Sequence, residues 1–166
     1  MGADRQTVVF VCTGNICRSP LAEAMATQMA PRFTSLDGRP MSELFRFESA
    51  GTASWHVGDD MDPRAFAALL AAGFTAHEHA AQHAGDELLA RADVLVALDR
   101  KHRQILGGRA SEGSRLIMLR PFDPLAGGQV DVADPYYGDD QDFAACAEII
   151  ERSVAGLLEA LARGAA

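Results

Sequence analysis

Residues 7–20 read TVVFVCTGNICRSP, an apolar run followed by a short polar loop and a Ser-Pro pair. The run from residue 7 to residue 11 consists of β-branched and aromatic residues, which is typical of a strand buried on both faces of a parallel sheet. Ser19 directly before Pro20 is a helix-start signal, and helix-forming residues follow it. The stretch therefore predicts a buried strand, a tight loop and the beginning of a helix.

The remainder of the chain alternates between strand and helix patterns. Further strands are predicted at residues 44–47, 94–98 and 115–119, and further helices at residues 62–70, 86–91, 101–106 and 143–161. Residues 31–40 and 121–138 are rich in loop-forming residues such as Pro, Gly and Asp. This alternation predicts an α/β fold, a parallel sheet with helices on both faces. Ligands bind beyond the carboxyl ends of such strands, so the loop after residue 11 is the first candidate for chemistry.

Length and composition restrict the class of protein. The 166 residues suit a single domain, residues 1–166, and the net charge of −8 argues against nonspecific binding to nucleic acid or to an anionic membrane. We find no secretory signal pattern and no apolar run as long as a membrane span. The three cysteines, Cys12, Cys17 and Cys146, are too few and odd in number for a secreted disulfide framework. We therefore expect a cytoplasmic protein, while export without a signal stays open.

The loop after the first predicted strand combines features that suit a phosphate ester; we call residues 12–19 the phosphate loop. A helix N-terminus attracts anions, and Gly14 and Asn15 tolerate the backbone angles that would turn loop amides inward. Cys12 would lie at the floor of the loop, where the amides and Arg18 favour its nucleophilic thiolate. The planar guanidinium of Arg18 matches two phosphoryl oxygens. The predicted phosphate-binding residues are Thr13, Gly14, Asn15, Ile16, Cys17, Arg18 and Ser19.

Other interpretations of this loop are possible from the residues alone. One alternative is a loop without a catalytic role, in which Cys12 is buried and unreactive and Arg18 lies on the surface. A nucleotide-binding P-loop would need a following Gly-Lys-Ser/Thr, which the sequence lacks. A zinc site has weak support, because Cys12 and Cys17 are not accompanied by a second ligand pair at metal spacing.

Breaking a phosphate ester also calls for a proton donor to the leaving oxygen. Asp134 lies in the long loop before the last helix, beside Pro135, which stiffens the backbone. Tyr136 and Tyr137 follow and would supply aromatic walls for an aryl ring. The alternative interpretation is that Asp134-Pro135 forms only a turn, as such a dipeptide usually does.

Residues 11–20 resemble, almost letter for letter, the signature of the low-molecular-weight protein tyrosine phosphatases of the bacterial type. Further similarity lies in residues 49–52 (SAGT), 55–58 (WHVG), 98–100 (LDR) and 134–137 (DPYY). The resemblance implies a three-layer fold with a four-stranded parallel sheet, no metal and no cofactor. It also implies hydrolysis of phosphotyrosine-containing proteins through a phosphocysteine intermediate.

The same resemblance implies roles for individual residues. Cys12 is the implied nucleophile, Arg18 the phosphate-binding and transition-state-stabilising group, and Asp134 the general acid and base. The residues implied to shape the phosphate loop are Asn15, Ser19 and Ser49, with Ser19 Oγ hydrogen-bonded to the thiolate. We expect substrate-recognition contacts from Trp55, His56, Tyr136 and Tyr137, although a lone Trp is more often a core residue. A tyrosine kinase that acts on Tyr136 or Tyr137 is a suggested partner.

One segment departs from the family pattern. Relatives carry a His four residues before a Gln, whereas four residues before Gln82 stands Glu78, with His77 and His79 on either side. Either the register shifts by one residue, or another group supports the phosphate loop. A third interpretation is a solvated surface cluster.

The remaining cysteines have two interpretations. A Cys12–Cys17 disulfide would protect the nucleophile from irreversible oxidation. Alternatively, Cys17 is a small buried filler. Cys146 falls within the pattern of the last helix and is expected in the core.

Phosphotyrosine hydrolysis has three competitors. Protein-arginine phosphatases resemble this chain but carry Thr where it has Ile16, which offers no hydroxyl to orient a water or a guanidinium. Arsenate reduction would need two further cysteines to relay a disulfide, and residues 80–101 contain none. A phosphopeptide-binding module would have no use for both a nucleophile and an acid.

Overall fold

The computed structural model describes residues 4–166. Its strands are β1 (Gln6–Cys12), β2 (Phe45–Gly51), β3 (Val94–Ala97) and β4 (Arg115–Met118). Its α-helices are α1 (Arg18–Met29), α2 (Met41–Leu44), α3 (Pro63–Ala71), α4 (Asp86–Arg91), α5 (Arg100–Gly107) and α6 (Asp140–Ala162). Short 3-10 turns lie at Ala30–Arg32 and Arg120–Phe122.

The strands form one parallel sheet in the order β2-β1-β3-β4. β1 pairs with β2 along its whole length, ending with Cys12 opposite Gly51, and it pairs with β3 on its other side. The predicted four-stranded parallel sheet with helices on both faces is confirmed. The connection to β2 goes to one side of β1 and the later strands lie on the other side. The phosphate loop therefore starts at a topological switch point, the crevice where open α/β sheets bind ligands.

Alternate side chains of β1 and β3 point to opposite faces of the sheet and build two cores. The larger core packs against α1, α3 and α6, and its strand residues include Val8, Phe10, Val94 and Val96. The smaller core packs against α4 and α5, and its strand residues include Val9, Val11, Leu95 and Ala97. Because both faces are covered, these strands read as uninterrupted apolar runs.

Most predicted elements lie within a few residues of their predicted bounds, but β2 and α2 differ. β2 extends beyond its predicted end through Ser49 and Ala50 to Gly51. These small residues have little strand propensity of their own, and pairing with β1 holds them extended. The predicted loop at residues 31–40 contains a bridge between Thr34 and Pro40 and leads into α2, which is too short to give a periodic sequence signal.

The predicted loop at residues 121–138, which we call the acid loop, is irregular beyond the turn at its start, but contacts with other elements anchor it. The N–H of Val132, a fully buried residue, donates to Leu98 O at 2.8 Å. The guanidinium of Arg152 in α6 donates to both oxygens of Asp123 at 2.9 and 3.1 Å. The Val132 contact carries the nearby Asp134 to the end of the sheet where the phosphate loop lies, whereas the Arg152 contact fixes only the start of the acid loop. None of the described helices is long and apolar enough to cross a membrane.

Candidate active site

The phosphate loop forms one wall of a cleft of about 330 Å³ at the carboxyl end of β1. Asn15 adopts a left-handed backbone conformation with φ 58°, which Asn tolerates better than most residues. The prediction that Gly14 also uses this freedom is wrong, because Gly14 has no left-handed φ. A Cβ at Gly14 would lie 3.0 Å from His56 Cδ2, so the glycine instead makes room for the His56 ring.

A buried hydrogen-bond network centred on Asn15 supports the loop from below. The Asn15 amide donates to Ser19 Oγ at 2.8 Å and to Ser49 Oγ at 2.9 Å. Asn15 Oδ1 accepts from the N–H of Gln82 at 2.9 Å. Ser49 in turn donates to Glu23 Oε1 at 2.7 Å. These contacts join the loop to α1, to β2 and to the segment before α4.

The end of β2 lies directly beneath the phosphate loop. A Cβ at Gly51 would lie 2.6 Å from Thr13 O and 3.2 Å from Asn15 N, so this close approach requires glycine. The N–H of Thr52 donates to Cys12 O at 2.9 Å. The small residues that end β2 therefore let a second strand support the loop.

The segment around Glu78 also reaches the loop. His79 Nε2 donates to the backbone oxygen of Asn15 at 2.6 Å, whereas Glu78 itself is exposed. His77 hydrogen-bonds the Glu23 carboxylate, and this bond raises the pKa of His77. The predicted shift of register by one residue thus agrees with the structure, and the surface-cluster interpretation is wrong.

Cys12 lies at the floor of the cleft with 3% of its surface exposed. Its Sγ is 2.8 Å from Ser19 Oγ. Because Ser19 Oγ accepts from the Asn15 amide, its own hydrogen is available to the sulfur. The helix begins one residue before Ser19, at Arg18, and the cap residue Cys17 makes no side-chain capping bond. The Ser19 hydroxyl therefore serves the sulfur and does not cap the helix.

The backbone N–H groups of the loop are free to bind an anion. Those of residues 13–19 donate to no acceptor within the described residues 4–166. They include the first turn of α1, where the helix dipole adds partial positive charge. Unpaired N–H groups at a helix N-terminus bind phosphate and similar anions. The loop thus presents hydrogen-bond donors immediately after Cys12.

Arg18 is 3% exposed and is fixed by groups from distant parts of the chain. Its Nη1 donates to Asp99 Oδ2 at 2.9 Å and to Val132 O at 2.8 Å, and its Nη2 lies 3.5 Å from Asp134 Oδ2. Burial opposes the charge of Arg18, but attraction to Cys12 and the hydrogen bond to Asp99 outweigh it, and the pKa of Arg18 is raised. Neither Asp99 nor Val132 is predicted as a site residue from the sequence, because neither belongs to a local pattern with Arg18.

His102 connects α5 to the phosphate loop. Asp99 caps α5, and its backbone N–H donates to His102 Nδ1 at 3.2 Å. The proton of the neutral ring is then on Nε2, which donates to Thr13 Oγ1 at 2.9 Å. Burial lowers the pKa of His102 to about 4, so the ring is neutral at neutral pH. Burial also opposes ionisation of Asp99, but hydrogen bonds from Arg18 and His102 outweigh it and lower the pKa of Asp99.

The acid loop brings Asp134 and both tyrosines to the same cleft as Cys12. The Asp134 side chain is 48% exposed, and its Oδ1 accepts from the N–H of Tyr136 at 3.1 Å. The rings of Tyr136 and Tyr137 meet edge to face, with centroids 5.0 Å apart. A carboxyl group and an aromatic wall therefore line the same cleft as Cys12, which is the placement that the sequence predicts.

The rim of the cleft includes one residue that sequence reasoning missed. Trp55 and His56 line the cleft, and Trp55 is 78% exposed, as expected of a rim residue and not of a core Trp. His56 Nδ1 lies 3.0 Å from Asp59 Oδ2. Lys101, in the first turn of α5, also lines the cleft. It is the only lysine in the chain, a compositional signal that could have drawn attention to it.

The three cysteines are free and buried. Burial and the nearby charge of Asp62 raise the pKa of the Cys17 thiol, and burial raises the pKa of Cys146 to about 12. Cys146 lies in the larger core, as predicted. The Cys12–Cys17 disulfide stays a prediction. Within residues 4–166 no group of three or more His, Cys, Asp or Glu could hold a metal ion.

Comparisons with known proteins point to one family. The family profile described as low molecular weight phosphotyrosine protein phosphatase matches residues 7–166. The low molecular weight protein-tyrosine phosphatase A of Mycobacterium tuberculosis is 47% identical over 156 residues, 93% of this chain and 91% of the relative. A protein tyrosine phosphatase structure from Entamoeba histolytica matches with a TM-score of 0.82 at 26% identity, covering 94% of this chain and 96% of the other. The YwlE arginine phosphatase, known from Bacillus subtilis, matches with a TM-score of 0.77 at 27% identity, covering 94% and 95%.

Proposed function

The chain belongs to the low molecular weight phosphotyrosine protein phosphatases and is a phosphoric monoester hydrolase, and from that premise we propose that it hydrolyses phosphotyrosine in proteins with Cys12 as nucleophile. One observation carries the proposal. The Cys12 sulfur lies 2.8 Å from the Ser19 hydroxyl at the floor of a loop whose backbone N–H groups, within residues 4–166, donate to no protein acceptor. Arg18 adds a buried guanidinium beside them.

The first step transfers the phosphoryl group to sulfur. The phosphate oxygens accept hydrogen bonds from the loop N–H groups and from Arg18, which offset their negative charge as it grows. The Cys12 thiolate attacks phosphorus, the S–P bond forms, and the bond from phosphorus to the tyrosyl oxygen breaks. Asp134 gives its proton to that oxygen, so tyrosine leaves as a neutral phenol.

The second step releases inorganic phosphate. Asp134, now a carboxylate, takes a proton from a water molecule, whose oxygen attacks phosphorus. The S–P bond breaks and the electron pair returns to sulfur as thiolate, with the Ser19 hydroxyl placed to stabilise it. Asp134 is protonated again and ready for the next cycle.

The walls of the cleft favour an aryl phosphate. Tyr136, Tyr137 and Trp55 offer aromatic surfaces to a substrate ring, and Ile16 contributes an apolar side chain near the floor. The similarity to the YwlE arginine phosphatase keeps phosphoarginine as a second candidate. Ile16 disfavours phosphoarginine as the substrate, because its side chain has no hydroxyl to orient a guanidinium or an attacking water.

Substitution of the nucleophile tests the function. Cys12→Ser should abolish hydrolysis of a phosphotyrosine peptide while inorganic phosphate still binds to the loop. The wild type and the variant are assayed side by side with phosphotyrosine peptide, phosphoarginine and arsenate. Turnover by Cys12→Ser at the wild-type rate would exclude Cys12 as the nucleophile. A higher kcat/KM for phosphoarginine, or reduction of arsenate, would replace the proposed substrate.

Partners and location follow from the same proposal. Phosphotyrosine-containing proteins are the substrates, and the cytoplasm is the proposed site of action, because free buried cysteines suit a reducing compartment. Tyr137 is 96% exposed, which would make it accessible to a tyrosine kinase, whereas Tyr136 is partly covered. Mass spectrometry after incubation with a tyrosine kinase tests whether Tyr137 accepts phosphate in preference to Tyr136.

A further inference from the structure

Arg64 lies in the first turn of α3 and is not among the side chains that line the cleft. Its Nε and Nη2 donate to the two oxygens of Asp62 at 3.1 and 2.9 Å. The backbone N–H of Arg64 also donates to Asp62 Oδ1, at 2.8 Å. A bidentate pair of this kind fixes the plane of a guanidinium as well as its position.

The anchor of Arg64 is itself tied to the phosphate loop. The backbone N–H of Asp62 donates to the carbonyl oxygen of Ile16 at 2.8 Å, and Asp62 is buried. The hydrogen bond from the Arg64 side chain lowers the pKa of Asp62 and keeps its carboxylate charged. The guanidinium of Arg64 is therefore held in register with the loop that binds phosphate.

The same guanidinium also lies over two aromatic rings, one in the acid loop and one in α6. Arg64 Cζ lies 4.4 Å from the centroid of the Phe143 ring and 5.4 Å from that of Tyr136, both within the range of cation–π attraction. Phe143 is buried in the first part of α6 and gives a fixed backing. The backbone N–H of Tyr136 donates to Asp134 Oδ1 at 3.1 Å. Contacts thus run from the phosphate loop through Arg64 and Tyr136 to the carboxyl group of Asp134.

We propose that Arg64 is a positioning residue for the general acid, which aligns Asp134 with the leaving oxygen by holding Tyr136. The inference rests on the proposed function, in which Asp134 protonates that oxygen. Within the described residues, Asp134 has few other constraints, since its side chain is half exposed and its remaining charged contact is Arg18 at 3.5 Å. A misplacement of about 1 Å can lower the rate on the order of 10²-fold, so the position of a proton donor matters.

The test uses two aryl phosphates that differ in their need for the acid. Phenyl phosphate has a poor leaving group and depends on protonation, whereas 4-nitrophenyl phosphate has a good one. For Arg64→Met, kcat/KM should fall about tenfold with phenyl phosphate and less than about twofold with 4-nitrophenyl phosphate. Arg64→Lys keeps the positive charge but loses the planar guanidinium. Its fall in kcat/KM with phenyl phosphate should therefore lie between those of the wild type and Arg64→Met.

A matched control is available in Arg152. It makes the same bidentate contact with a buried aspartate, Asp123, its side chain is exposed to the same extent (35% against 36% for Arg64), and it does not line the cleft. Arg152→Met therefore removes an equivalent ion pair at the start of the acid loop. We expect it to lower Tm without changing the ratio of kcat/KM between the two substrates.

A double-mutant cycle identifies the route of the effect. If Arg64 acts through the Tyr136 ring, the losses from Arg64→Met and Tyr136→Leu with phenyl phosphate should be less than additive. The role of Arg64 would be overturned if Arg64→Met left the ratio of kcat/KM between the two substrates unchanged. It would also be overturned if Arg152→Met changed that ratio to the same extent. Asp134→Asn separates this failure from a failure of the proposed function, because only the latter would leave Asp134→Asn without leaving-group dependence.

Discussion

The phosphate loop and the acid loop meet in one cleft, but they are held in different ways. In the phosphate loop, Asn15 and Ser19 are completely buried, and their side chains bond to each other and to Ser49 and Cys12. In the acid loop, Asp134 is half exposed and accepts a single hydrogen bond from its own loop. The phosphate loop is supported from below by two strands and a buried hydrogen-bond network, whereas the acid loop is held by contacts along its flank.

This difference matches the role that we propose for each region. Donors that stabilise growing negative charge are effective when they are already oriented, because no free energy is then spent on turning them. A group that gives up a proton and later takes one from water needs contact with solvent between the two steps. Substitutions should therefore change stability and activity together in the phosphate loop, and activity alone in the acid loop.

Asp134→Asn tests the exposed region and should have the largest effect on rate. Asn cannot donate the proton, so kcat/KM for phenyl phosphate should fall about 10³-fold. The loss with 4-nitrophenyl phosphate should be far smaller. The free energy of unfolding should change by less than about 0.5 kcal/mol, because the side chain is half exposed. Urea unfolding and steady-state kinetics measure the two effects, and a large loss of stability would break the contrast between the loops.

Asn15→Gly tests the buried region. The change removes the hydrogen bonds that the Asn15 side-chain amide donates to Ser19 and Ser49. Glycine still adopts the left-handed backbone conformation of this position. We expect kcat/KM to fall about 10²-fold with both aryl phosphates and the unfolding free energy to fall by about 3 kcal/mol. Asn15→Ala serves as the comparison and should cost about 1 kcal/mol more, because Ala is strained at this φ. Unchanged stability in Asn15→Gly would show that the network does not support the loop.

His102→Gln tests a pH dependence confined to the phosphate-loop side. The pKa of His102 falls from 6.5 in the unfolded chain to about 4 in the folded one, so the unfolded state binds a proton first as the pH drops. The buried neutral His102 therefore contributes to the free energy of unfolding above pH 6.5. As the pH falls toward 4, a contribution on the order of 3 kcal/mol is lost. Gln does not titrate, so the difference in unfolding free energy between wild type and variant should narrow over this range. A constant difference between pH 7 and pH 4.5 would contradict it.

Lys101→Gln should have the smallest effect and concerns the rim. Lys101 lines the cleft, whereas Arg103, exposed on the same helix, does not. With a phosphotyrosine peptide carrying Glu beside the phosphotyrosine, Lys101→Gln should lower kcat/KM about threefold, the size expected of an exposed ion pair. Arg103→Gln makes the same change of charge and should have less effect. Equal effects of the two substitutions would mean that both act through the net charge of the protein and that Lys101 makes no contact with the peptide at the rim.

The secondary structure was largely predictable because its signals are local. The apolar run of β1, the Ser-Pro pair before α1 and the long amphipathic pattern of α6 each lie within one segment, and the observed elements match them. The end of β2 was not predictable, since Ser49, Ala50 and Gly51 are extended through pairing with β1. Gly14 was misjudged for a similar reason, because its neighbour His56 is distant in sequence.

The sequence by itself was enough to predict Cys12 as the nucleophile, Arg18 as the phosphate-binding arginine and the loop that joins them. Cys12 ends β1 and Arg18 begins α1, so a single strand-loop-helix connection sets their relation. Tertiary structure alone decided what holds them. Asp99, His102 and Arg64 come from other elements, and their contacts depend on how the chain crosses over the sheet. A residue's neighbours along the chain follow from covalent geometry, but its partners across the fold follow from packing, which no local pattern encodes.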